Sequence, residues 1–306
     1  MTAANLYSPV RTATDGSVRV ELSQTHPGFA DPEYRARRDA IASLSVGHVV
    51  NEPIPIVEYT DVEHGVWRTV SRELAVKHRI HAARAFLDAA ETLALPRDHI
   101  PQLTDVTQRL APVTGFRYEP VAGLAPLRKF YGSFDENVFL STQYIRHHSS
   151  PLYTPEPDIV HEVLGHANQV ADPTTARLYQ LVGAAVRRVE TDEALRLLSR
   201  VFWFTFEFGV IEEGGDLKAY GAGILSSFGE LDAFRQATIR PLDFREIARV
   251  DYDITTYQPT LFAARSQSEV YDALEAFLTS FSDETPSRLA TTTVNSGGAA
   301  RWSTEQ

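Results

Sequence analysis

The chain has 306 residues, of which 43% are hydrophobic and 23% charged, a composition that suits one large globular domain or two small ones. A net charge of −11 argues against nucleic-acid binding, which needs a basic face, and the lack of cysteine excludes disulfides, thiolate metal sites and cysteine nucleophiles. No apolar run reaches the roughly 18 residues of a membrane span, and the N-terminus lacks the apolar core of a secretion signal, so a cytoplasmic protein without membrane partners is expected.

Residues 1–30 are polar and turn-rich and read as irregular. Asp31 to Leu44 carries apolar residues at helical spacing, and 51–56, with two prolines, is a link. A long helical stretch follows from Thr60 to Leu93. Thr60 and Glu63 form a capping box, and Trp67, Val70, Leu74, Ile80, Ala83, Phe86 and Leu87 make an apolar stripe. Its length implies one helix, or two joined by a bend, ended by Pro96. A short helix near Thr104 to Leu110 stops at Pro112. Phe116 to Val121 alternates like a strand, Gly123 to Gly132 is a small helix or turn, and Val138 to Ile145 is rich in strand formers.

Asp172 and Pro173 start a helix that runs to about Val189, and a further helix spans Thr191 to Phe208. Glu212 to Asp216 is a tight acidic turn. Ser266 and Glu269 cap a last helix to about Phe281. From Ser282 the chain is rich in Ser, Thr and Gly and is expected to be disordered. No repeat or interior linker is visible. The expected organisation is an irregular segment 1–30, one helix-dominated α+β catalytic domain with a few short strands over 31–281, and a disordered tail 282–306.

The chemistry concentrates in Tyr153-Thr154-Pro155-Glu156-Pro157-Asp158-Ile159-Val160-His161-Glu162-Val163-Leu164-Gly165-His166, a proline-rich loop that becomes a helix. A zinc hydrolase places its two histidines four apart on one helix face; here they are five apart. Five residues of regular helix turn through about 500°, leaving the side chains roughly 140° apart. Gly165 just before His166 is a weak helix former, so the helix is expected to end or deform there. A zinc metallohydrolase with Glu162 as general base is the rival chemistry, and the spacing counts against it.

The run Val201-Phe202-Trp203-Phe204-Thr205-Phe206-Glu207-Phe208 encloses one acid in apolar residues. A buried carboxylate needs a cation, so Glu207 expects either a metal or a buried Arg or Lys. With His161 and His166 it would complete two histidines and one carboxylate, the facial set that suits non-haem iron(II).

These residues carry a family resemblance. Tyr144-Ile145-Arg146-His147, the Tyr153 to His166 stretch, Phe204-Thr205-Phe206-Glu207-Phe208-Gly209, and Lys218-Ala219-Tyr220-Gly221-Ala222-Gly223 through Ser226-Ser227-Phe228-Gly229-Glu230 resemble the catalytic domain of the pterin-dependent aromatic amino acid hydroxylases, from about residue 60 to residue 280. The resemblance implies a mostly helical fold, Fe(II), tetrahydrobiopterin or a related tetrahydropterin, and O2 as cosubstrate. It assigns the metal to His161, His166 and Glu207. It assigns the pterin to Glu162, to the stacking ring of Phe130, and to a cradle of Gly123, Leu124 and Leu127. Arg146 is implied to hold the substrate carboxylate, assisted by Thr154 and Ser226. Tyr153, Pro155, Trp203, Phe208 and Gly223 are implied to surround the substrate.

The implied substrate is a free aromatic amino acid. Trp203 resembles the phenylalanine and tyrosine enzymes, and Ile254 stands where the tyrosine enzymes carry an acid, so hydroxylation of phenylalanine to tyrosine is expected. Meta hydroxylation, or tryptophan as substrate, are the alternatives. Leu140 and Phe202 depart from the animal enzymes, which carry a histidine and a tyrosine there. A non-catalytic binding protein would have no reason to keep a buried Glu207. Neither the regulatory domain nor the C-terminal heptad helix of the animal enzymes is recognisable, so a monomer, or at most a weak dimer, without substrate activation is expected.

Overall fold

In the computed structural model, which describes residues 10–12, 18–253 and 256–291, several of the longer helices start where a short side chain accepts the free N–H groups of a first turn. Asp31 caps α1 (Pro32–Ser43), and the Thr60–Glu63 capping box opens α2 (Asp61–His81). The apolar stripe then breaks at Ala82 and Ala83, both extended, before α3 (Arg84–Leu93). Ala82 bridges Ala219, and the Ala83 N–H donates to the Ala219 carbonyl at 2.8 Å, so a strand contact makes the bend.

Helix α4 (Leu103–Thr114) runs through Pro112 instead of stopping at it. Close to a C-terminus a proline removes one hydrogen bond; the stop is set by Gly115, left-handed at φ 79°. After α5 (Leu127–Gly132) the chain reaches a π-helical segment, Val160–Ala167, which continues as α6 (Asn168–Val170). Asp172 caps α7 (Pro173–Arg188), and Thr191 caps α8 (Asp192–Phe202). The expected single helix from Thr191 to Phe208 instead changes at Trp203 into a second π-helical segment, Trp203–Glu207. The short helices α9 (Ala222–Ser226), α10 (Glu230–Ala233) and α11 (Phe244–Arg249) follow, then α12 (Gln267–Thr279), capped by Ser266.

The strands are short. β1 (Val10–Thr12) and β2 (Val18–Val20) pair antiparallel inside the stretch expected to be irregular. β3 (Arg117–Pro120) runs parallel to β4 (Val138–Ser141), placing Tyr118 opposite Phe139. A four-stranded sheet has the order β6 (Asp216–Ala219), β5 (Val210–Glu213), β8 (Thr260–Ala264), β7 (Thr238–Pro241). The expected acidic turn joins β5 to β6 through Gly214 and Gly215, at φ 63° and 80°.

Part of the tail is ordered: α13 (Thr285–Thr291) packs Leu289 against the core. Asp283 accepts hydrogen bonds from the N–H groups of Glu190 and Thr191, an anchor that composition does not report. The main core gathers Trp67, Phe116, Tyr118, Phe134, Phe139, Tyr179, Phe202 and Phe204, with residues of both π-helical segments inside it. Among the described residues no helix is long and apolar enough to cross a membrane.

Candidate metal centre

A π turn hydrogen-bonds each residue to the one five positions on, so it brings residues five apart onto one face. The Val160–Ala167 segment does this for the two histidines: His161 Nε2 and His166 Nε2 lie 3.0 Å apart. The deformation expected near Gly165 is therefore present. Gly165 also packs on α9, where a Cβ would lie 3.0 Å from the Ala222 carbonyl oxygen.

The second π segment delivers the acid. Glu207 Oε1 is 3.1 Å from His166 Nε2, and its Oε2 is 3.6 Å from His161 Nε2. No Arg or Lys pairs with Glu207 among the described residues, so of the two cations its burial called for, a metal is the one the geometry suits. Two imidazole nitrogens 3.0 Å apart share at most one proton, and facing a carboxylate they form the donor set of a divalent ion. Glu162 also reaches this group: ligand atoms of His161, Glu162 and His166 lie within 4.8 Å of one another.

The electrostatics separate the two acids. Burial alone would push the Glu207 carboxyl up; the His166 and His161 imidazoles and the Gly223 N–H outweigh it and hold it below the usual range. Burial, then the charges of Glu207 and Asp158, push Glu162 well above it. Burial pushes the His161 imidazole down to about 4, against the pull of Glu207, so it is a neutral ring with a free lone pair. Each ring is held from behind: His161 Nδ1 is 2.9 Å from Ser226 Oγ, and His166 Nδ1 is 2.8 Å from the Tyr179 hydroxyl.

Around this centre the backbone is crowded. A Cβ on Gly223 would lie 2.8 Å from Phe208 Cζ and 3.0 Å from the Glu207 carbonyl, so no side chain fits there. The Trp203 ring lies 4.5 Å from Phe208 and stacks on Tyr252, while its Nε1 donates to Gln258. Phe130 leads inward through Phe139, at 5.5 Å, whose ring is 4.9 Å from that of His166. Phe202 stacks on Phe206 at 4.8 Å and on His166 at 6.3 Å, so one of the two departures from the animal enzymes sits against the centre. Leu140, the other, is buried on β4 beside Phe139.

Arg146 is buried, with Nε and Nη2 on the Asp158 carboxylate at 2.9 and 2.8 Å; Nη1 has no partner among the described residues. Asp158 also accepts from the His161 N–H, which links Arg146 to the start of the ligand helix. Thr154 and Pro155 are half-buried just upstream. Tyr153, Leu124 and Leu127 are exposed, at 49%, 46% and 41%, and no hydrogen bond or ring contact joins them or Gly123 to the histidines. Ile254 lies outside the described residues. Sequence reasoning missed Gln169 and Tyr179 behind His166. Asp158, by sequence an acid near a helix start, carries no local sign of its pairing with Arg146.

The chain matches the family described as biopterin-dependent aromatic amino acid hydroxylase over residues 13–293. It is 49% identical over 264 residues to the phenylalanine 3-hydroxylase of Streptomyces coeruleorubidus, covering 86% of this chain and 95% of that one. It is 43% identical over 267 residues to rat phenylalanine-4-hydroxylase, covering 85% of this chain but 59% of the rat protein. Among solved structures, a phenylalanine hydroxylase of Chromobacterium violaceum with bound iron(III) and 7,8-dihydrobiopterin superimposes with TM-score 0.70 at 29% identity, covering 76% of this chain and 86% of that one. A mutant form of the Chromobacterium violaceum enzyme gives TM-score 0.73 at 27% identity, covering 85% and 93%.

Proposed function

The chain belongs to the biopterin-dependent aromatic amino acid hydroxylases, and on that premise we propose that it hydroxylates the ring of free L-phenylalanine at the meta position. The observation that carries the chemistry is the pair of imidazole nitrogens 3.0 Å apart with Glu207 3.1 Å away. His161, His166 and Glu207 would hold Fe(II). Bound there with a tetrahydropterin, the iron supplies the activation of O2.

The protein's own share is placement and exclusion of water. Arg146, already oriented by Asp158, offers its free Nη1 to the substrate carboxylate. Thr154 and Ser226 assist with their hydroxyls, that of Ser226 also meeting His161 Nδ1. Pro155, Trp203, Phe208 and Gly223 enclose the substrate ring, with Tyr153 at the mouth. Phe130 stacks on the pterin, Glu162 faces it, and Gly123, Leu124 and Leu127 cradle its edge. All of these roles rest on the family motifs, and the juxtapositions described above support those of Arg146, Glu162, Phe130, Trp203, Phe208 and Gly223.

For regiochemistry, support comes from the Streptomyces 3-hydroxylase, matched over 95% of its length at 49% identity. Phe202, stacked on His166, and Leu140, buried on β4, are the two positions at which the sequence departs from the animal enzymes' pattern. The expected para product is the second reading, favoured by mammalian 4-hydroxylases at 41–43% identity. Incubation with Fe(II), a tetrahydropterin and phenylalanine, followed by chromatography against ortho-, meta- and para-tyrosine, decides between them. Meta-tyrosine supports the proposal and para-tyrosine restores the second reading. Turnover of tyrosine or tryptophan but not phenylalanine overturns both. The monomer also stands as a proposal, which a stable tetramer in sedimentation would overturn.

A further inference from the structure

We infer that Gln169 and Tyr179 are positioning residues that set the tautomer of His166 and lock its helix to the one carrying Glu207. The inference rests on reading His166 as a metal ligand. It starts from the Gln169 amide nitrogen, which donates to the carbonyls of Phe206 at 3.0 Å and Tyr220 at 2.9 Å. Both amide protons are thereby used, so the direction of the amide is fixed. Its oxygen faces the other way and accepts the Tyr179 hydroxyl proton. That hydroxyl has one proton, so toward His166 Nδ1, 2.8 Å away, the phenol oxygen can only accept. Nδ1 must carry the ring proton, and the lone pair falls on Nε2, which faces His161 and Glu207.

Water cannot take over any part of this chain of bonds. Exposure is 1% for the His166 side chain, 5% for Gln169 and 0% for Tyr179. The ends of the chain are equally informative. Phe206 directly precedes Glu207, and Tyr220 precedes Gly221, whose Cβ position would lie 2.3 Å from the Glu207 carbonyl oxygen. One carboxamide therefore ties a histidine on one π-helical segment to the acid at the end of the other. Tyr179 is held in place by edge contact with Phe206 at 4.8 Å and with Phe202 at 5.6 Å.

Without Gln169, the Tyr179 hydroxyl would be free to donate to Nδ1, sending the ring proton to Nε2, where it blocks a metal. The test is Co(II) binding by the metal-free full-length protein, followed by visible absorption and chelator competition, for wild type, His166→Ala and Tyr179→Phe. Thermal unfolding of each metal-free variant reports folding. Tyr179→Phe is expected to fold cooperatively, bind Co(II) about 10–100-fold more weakly and shift the cobalt bands. Failure of wild type to bind, or undiminished binding by His166→Ala, overturns the metal-site reading itself. Loss in His166→Ala together with an unchanged spectrum and affinity in Tyr179→Phe overturns the positioning role alone. If Tyr179→Phe does not fold, Gln169→Met decides: it frees the hydroxyl to donate, and the same loss is expected, whereas wild-type affinity overturns the inference.

Discussion

Arg146 and Asp158 form a two-point ion pair inside the protein, with side chains 3% and 1% exposed. The same carboxylate accepts the Arg146 N–H at 2.7 Å and the His161 N–H at 3.3 Å, so the proposed substrate anchor and the proposed first metal ligand share one acid. Burial alone would push the Asp158 carboxyl up, but Arg146 and these N–H groups hold it below the usual range. Asp158→Ala leaves a buried guanidinium unpaired, a loss of about 3–5 kcal/mol. Lower thermal stability and a raised KM for phenylalanine are expected together; a change in stability with KM untouched would separate Arg146 from substrate binding.

Glu207→Gln keeps the shape of the side chain and removes the charge that completes the metal group. Iron content after reconstitution should fall at least tenfold under competition with a chelator, and turnover should vanish while circular dichroism stays unchanged. Retained iron with normal turnover would hand the third ligand position to Glu162, which also reaches the histidines.

Phe130 is half-buried, and its ring is braced by Phe134 at 5.0 Å. Phe130→Ala removes the proposed stacking face, worth about 0.5–1.5 kcal/mol beyond lost area. The KM for the pterin should rise roughly three- to tenfold, with a smaller change for phenylalanine. Equal increases for both would mark a packing role instead.

Glu230 provides a pH test away from the metal group. It is 7% exposed, its Oε1 accepts the Gln258 N–H, and burial pushes its carboxyl up to about 7. The folded state then holds a proton that the unfolded state has released between the ordinary glutamate value and about 7. Stability from this group therefore falls as pH rises through that window, and the full loss is present above it. Glu230→Gln should stabilise the protein at pH ~8 by about 1–3 kcal/mol and have no such effect near pH ~4. Denaturant titrations at the two pH values measure the difference.

Restoring the animal residues at the two departing positions tests the regiochemistry. Phe202→Tyr and Leu140→His together should move product from meta- toward para-tyrosine. About 1.4 kcal/mol of differential barrier changes the product ratio tenfold, so a modest shift in ring placement is measurable. An unchanged ratio would place the control elsewhere in the pocket.

Much of this protein is local and was legible in its residues. Caps at Thr60, Asp172 and Ser266, the left-handed Gly214–Gly215 turn and the isolated acid in the apolar 201–208 run follow from side chains and their near neighbours. So did the need for a deformed helix between His161 and His166, because five residues of regular helix cannot aim two rings at one point. The remainder is non-local. Strand β8 exists because it pairs with β5 on one side and β7 on the other, and β7 because it pairs with β8, although β7 is largely solvent-facing and has no strong strand pattern. Helix α13 depends on Leu289 meeting the core, and Thr191, the cap of α8, is itself held by Asp283, more than ninety residues away. Nothing in the spacing of Gln169, Tyr179 and Phe206 says that they share one hydrogen-bond chain. The sequence by itself determined which atoms are available to bind a metal. Only the tertiary structure decided which partners face each imidazole, because Ser226, Tyr179 and Gln169 are brought together across the chain in a space closed to water.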